Sequence, residues 1–134
     1  MGADNAELIE VLQGNRPDGL TWRVLAGGDA ANLHTYVDRR IGDARAVSGF
    51  QGPALYSGQL INSWSGRADG LPPFVIVRTG STVVAVTAVS ATGREYALTL
   101  SDVIEPFGLR FGAAPLPAAE SIIELRVESA SDDA

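Results

Sequence analysis

Phe74-Val75-Ile76-Val77-Arg78-Thr79, Thr82-Val83-Val84-Ala85-Val86-Thr87-Ala88-Val89 and Arg94-Glu95-Tyr96-Ala97-Leu98-Thr99-Leu100 are three runs rich in β-branched and aromatic residues. Gly80-Ser81 and Ser90-Ala91-Thr92-Gly93 separate them. Parallel neighbours need a crossover of a dozen residues or more, and these links leave no room for one. The spacing therefore predicts an antiparallel meander over 74–100. It contains no recognisable reactive group, so the most clearly marked part of the chain reads as scaffold.

Outward from the meander the pattern is mixed. Asp4 and Glu7 stand in capping-box register before Leu8, Val11 and Leu12, which predicts a short helix ended by Gly14. Leu20, Trp22 and Val24 alternate with polar residues as in a half-buried strand. Asp29 then reads as the N-cap of a second helix with Ala30, Leu33, Val37 and Ile41 on one stripe. Residues 43–53 show little periodicity and read as a long loop. Leu55 to Trp64 reads as a strand broken at Ser57-Gly58, and Ser101 to Pro106 as one helical turn. Further strands are predicted over 107–111 and 123–127, before an acidic tail at 129–134. The expected fold is mainly β (α+β): an antiparallel β-barrel or sandwich of about seven strands with two short helices. Residues 1–128 form a single globular domain in this reading.

Composition narrows the function classes. The chain has 134 residues, enough for one domain, with 46% hydrophobic and 19% charged residues. Sixteen carboxylates face ten cations, all arginine, for a net charge of −6. Such a balance repels phosphate backbones, and nucleic acid is not an expected partner. The absence of lysine fits a GC-rich bacterial genome. There is no cysteine, which removes disulfides, thiolate nucleophiles and Cys-ligated metals. The N-terminus has no basic segment before an apolar one, and Ala6 stands where a myristoylation signal wants Ser or Thr. No apolar stretch is long enough to cross a bilayer, so no membrane is expected and a soluble, cytoplasmic location is.

His34 is the only imidazole and hence the natural candidate for a general base near neutral pH. On a helix, Asp38 would lie within reach of its ring, which makes His34 and Asp38 the candidate catalytic pair. No Gly-x-Ser-x-Gly supplies a nucleophile, so His34 is also readable as a boundary residue hydrogen-bonded to Asp38. The carboxylates are scattered without metal-ligand spacing, and neither metal nor cofactor is expected. Gly27-Gly28-Asp29 lacks the G-x-G-x-x-G pattern and places a negative charge where a phosphate would sit. Glu124 and Glu128 lie roughly 13 Å apart along a strand, a spacing that reads as a solvated face.

Aromatic residues in or beside irregular segments are the candidate binding residues: Tyr36, Phe50, Tyr56 and Trp64, together with Arg67 and Arg78. Trp64 and Tyr56 are also readable, and more simply, as caps on the core of a small barrel. The expected function is a non-catalytic β domain that binds a protein partner or a small ligand. The alternatives are a small hydrolase or isomerase using His34 and Asp38, and a structural subunit that assembles through strand edges. The sequence leaves the oligomeric state open.

Overall fold

The computed structural model describes residues 8–29, 31–55, 58–68, 70–105, 107–117 and 121–130, and among them the chain forms strands and no helix. In order these are β1 (Ile9–Asn15), β2 (Thr21–Asp29), β3 (Asn32–Ile41), β4 (Ala44–Gly52), β5 (Ile61–Ala68) and β6 (Leu71–Gly80). They continue as β7 (Val83–Ser90), β8 (Glu95–Ala97), β9 (Thr99–Leu100), β10 (Leu109–Pro115) and β11 (Ile122–Ser129). Three antiparallel sheets result, ordered β1-β2-β3-β4, β5-β6-β10-β9 and β11-β7-β8, and none closes as a barrel.

The sheets stack. Val24 and Val37 of the first sheet share a core with Phe74, Ile76 and Phe111 of the second. Val75, Val77 and Ala114, also of the second sheet, share a separate core with Val83, Val86 and Ala88 of the third. Alternate residues of a strand face opposite sides, so β6 feeds both cores and its sheet is the middle of three layers. This explains why Phe74 to Val77 is an unbroken apolar run: a strand covered on both faces has no solvent side to mark with polar residues.

The expected meander forms only in part. β7 and β8 pair as a hairpin, closed by Gly93 at φ 88° and by a hydrogen bond from Gly93 N–H to the Ser90 carbonyl. β6 does not pair with β7; its neighbours are β5 and β10. Two-residue hairpin loops need positive φ at a turn position. Ser81 and Thr82 are poor residues for that, and Gly80 is not in that conformation. The chain instead turns a corner and changes layer.

Both expected helices are corrected. Residues 9–15 and 32–41 are strands, and Asp4 and Glu7 lie outside the described residues. A spacing of four, as in Leu33, Val37 and Ile41, fits one helix face and also one strand face, so the stripe was ambiguous. Thr35, Tyr36 and Val37 tip it toward β. The Asp29 carboxylate does accept backbone hydrogen bonds, from the N–H groups of Ala31 and Asn32 at 3.0 Å, but it caps the β2–β3 turn. The expected loop at 43–53 is largely β4, paired along its length with β3. The expected helical turn at 101–106 is not formed among the described residues, which carry an isolated bridge between Ile104 and Leu109; Pro106 lies outside them. Among the described residues no helix is long and apolar enough to cross a membrane.

Candidate functional site on the outer face of the first sheet

Strand alternation sorts β3 into two sets. Leu33, Thr35, Val37 and Arg39 point into the protein, and His34, Tyr36, Asp38 and Arg40 share the outer face. Register places Arg23 of β2 opposite Asp38, and Arg45 of β4 opposite Arg40, one diagonal step from Asp38. The result is a carboxylate enclosed by guanidinium groups. Arg45 donates to both Asp38 oxygens at 3.1 and 3.2 Å, and Arg23 Nε donates at 3.3 Å. Arg40 Nη2 stands 3.7 Å away, and Glu10 lies 3.8 Å from Arg23. Asp38 is 3% exposed although it is on the outer face, because the arginines cover it. Burial raises its carboxyl pKa, but the hydrogen bonds from Arg45 and Arg23 and the charges of Arg45 and Arg40 outweigh it, holding it below its ordinary value.

Beside this cluster is a groove of about 410 Å³ whose walls include Gln13, Asn15, Thr21, Arg23, Asp38 and Arg40. Further along the same face, His34 Nδ1 and the Tyr36 hydroxyl share a hydrogen bond of 3.0 Å. Gly49 lies opposite Tyr36, and a Cβ there would run first into the Thr35 carbonyl oxygen and then into Tyr36, so the close approach of the β3 backbone requires glycine.

His34 and Asp38 are not a hydrogen-bonded pair. On a strand, four residues separate them by roughly 13 Å; the partner of His34 is Tyr36, and those of Asp38 are arginines.

The other candidates are dispersed. Arg78 is fully buried, so its expected place on a binding surface is corrected. Each of its five N–H donors has an acceptor: Ala54 O at 3.1 Å, Leu33 O at 2.8 Å, Thr35 Oγ1 at 2.9 Å, Gly52 O at 3.1 Å and Pro53 O at 2.8 Å. Phe50 lies on the inner face of β4, with its ring centroid 4.2 Å from the Arg78 guanidinium carbon. Trp64 is half-buried on β5 against the first core. Arg67 is exposed and lines a different, smaller groove of about 130 Å³ with Ser65, Leu116 and Ile122. Tyr56 lies outside the described residues.

Sequence reasoning missed Arg23, Arg40 and Arg45 as a group. Their signal was the alternation of His34, Tyr36, Asp38 and Arg40, visible once residues 32–41 are read with a period of two. No protein-family model, curated protein or solved structure matches the chain.

Proposed function

We propose that the chain is a non-catalytic β domain that binds a small ligand on the outer face of its first sheet. One observation carries the reading: a groove of about 410 Å³ opens beside side chains that the described residues do not engage elsewhere. Gln13, Asn15 and Thr21 make no side-chain hydrogen bond among the described residues, and Arg40 makes only its 3.7 Å ion pair. The volume is within the usual range for small-molecule sites, and the polar lining favours a polar ligand. The hydrolase alternative has less support, because His34 is engaged by Tyr36 and stands far from Asp38.

The test is a nuclear magnetic resonance screen of isotope-labelled protein against small polar metabolites and short peptides. Shifts clustering on the amides of Gln13, Thr21, Arg23 and Arg40 are expected. Shifts confined to the Arg67 groove, or none with any compound, would overturn the reading.

Assembly through strand edges is a second reading, favoured by Ile123 of the edge strand β11, which is 68% exposed. Glu124, Arg126 and Glu128 on the same strand oppose it, since charges on an edge discourage strand pairing.

A further inference from the structure

The ion cluster beside the groove is out of balance. Three guanidiniums, from Arg23, Arg40 and Arg45, gather around one buried carboxylate, and among the described residues the one other carboxylate in the cluster is Glu10 at the far side of Arg23. The patch is therefore locally positive on a chain whose net charge is −6. Like charges directly opposite one another in a sheet repel, and Arg40 and Arg45 are such a pair. Asp38 offsets this incompletely, because its oxygens already accept from Arg45 and Arg23 and leave Arg40 at ion-pair distance only.

Arg40 is thus held over the groove with its planar fork of donors unspent, a geometry suited to a phosphate or carboxylate. The amide and hydroxyl groups of Gln13, Asn15 and Thr21 on the remaining walls suit hydroxyl groups. We propose that the groove takes a small hydroxylated oxyanion, its charged group seated against Arg40 and Arg23 and its hydroxyls against Gln13, Asn15 and Thr21. This rests on the binding reading above and specifies its ligand.

Titration of the labelled protein with glucose 6-phosphate, glucuronate and uncharged glucose tests the proposal. At least one of the two anions is expected to shift the Thr21, Arg23 and Arg40 amides at concentrations up to about 10 mM while glucose does not. The tighter of the two identifies phosphate or carboxylate as the preferred group. Arg40→Gln is expected to weaken that binding by about tenfold or more. Its thermal midpoint should move little, because Arg40 is exposed and the ion pair it loses with Asp38 is offset by the repulsion it relieves at Arg45. Added sodium chloride should weaken the anion further. Gln13→Ala, which leaves the ion cluster intact, is the second variant and is expected to weaken binding to a smaller degree.

Equal binding of glucose, or unchanged anion affinity in Arg40→Gln, would overturn the proposal. If neither anion shifts these amides but a neutral compound or peptide from the screen does, the oxyanion is wrong and the binding face survives. If nothing shifts them, both fall.

Discussion

Between the first and second sheets lie two fully buried arginines, Arg39 and Arg78, among the rings of Trp22, Phe74 and Phe111. Between the second and third sheets the buried hydrophobic residues are aliphatic: Val75, Val77, Val83, Val86, Ala88, Leu98, Ala114 and Leu116, with Tyr96 packed against them. The two interfaces face different problems. In the first, the chain leaves β4 at Gly52, and the carbonyls of Gly52, Pro53 and Ala54 there accept from Arg78. Buried carbonyls need donors. Arg78 supplies them and ties the first sheet to the second through Leu33 and Thr35. In the second interface the described residues gather aliphatic side chains, and their contact is apolar.

Arg39 differs from Arg78 although both are fully buried. It donates to Pro72 O at 3.2 Å and to Ser48 Oγ at 3.0 Å, and its Nε has no partner among the described residues. Burial lowers its pKa. Its guanidinium carbon lies 5.8 Å from the Phe74 ring centroid, so much of what it contributes is packing.

The largest effect is expected from Arg78→Met, which orphans several carbonyls at once and should cost about 4 kcal/mol in denaturant unfolding. Arg78→Lys should recover little of this, since three donors on a point charge cannot serve five acceptors in a fork. A loss under about 1 kcal/mol would show that the two interfaces are held alike, by apolar burial. Leu116→Ala, in the aliphatic interface, should cost about 3 kcal/mol by leaving a cavity.

The same residue type on the solvent side sharpens the contrast. Asp38→Asn should cost about 2 kcal/mol, between the values for exposed and fully buried ion pairs. Because the folded pKa of Asp38 lies below its unfolded value, its contribution is complete above the unfolded pKa. It is lost as pH falls through the folded value, so Asp38→Asn should flatten the acid limb of the stability profile. Arg39→Met is the smallest expected change, within about 1 kcal/mol of the parent in either direction. It removes two hydrogen bonds and also an unpartnered buried donor. A loss as large as that of Arg78→Met would erase the distinction between the two arginines.

Much of this was legible in the chain, and the failures have identifiable causes. The strands around Leu20, Phe74, Val83, Tyr96 and Ile123 followed from β-branched content and alternation. Residues 32–41 were misread because apolar residues four apart satisfy both helix and strand geometry, and the Asp29 turn chemistry resembles a helix cap. That error hid the candidate site: a helical wheel sets Tyr36 and Arg40 apart from His34 and Asp38, whereas a strand lines all four along one face. Arg78 had a usable signal. It shares a strand face with Phe74 and Ile76, in a run with no polar side, so the strand had to bury it.

From composition and local pattern alone came the β character, the absence of thiol chemistry and the position of most turns, because these depend on side-chain shape and on residues near in sequence. The order of strands, the three layers, the burial of Arg78 and the gathering of arginines on Asp38 depended on the folded whole. A short link after Gly80 is compatible with a hairpin or with a change of sheet. What decides between them is that Phe74 and Ile76 on one face of β6, and Val75 and Val77 on the other, must both be taken out of water.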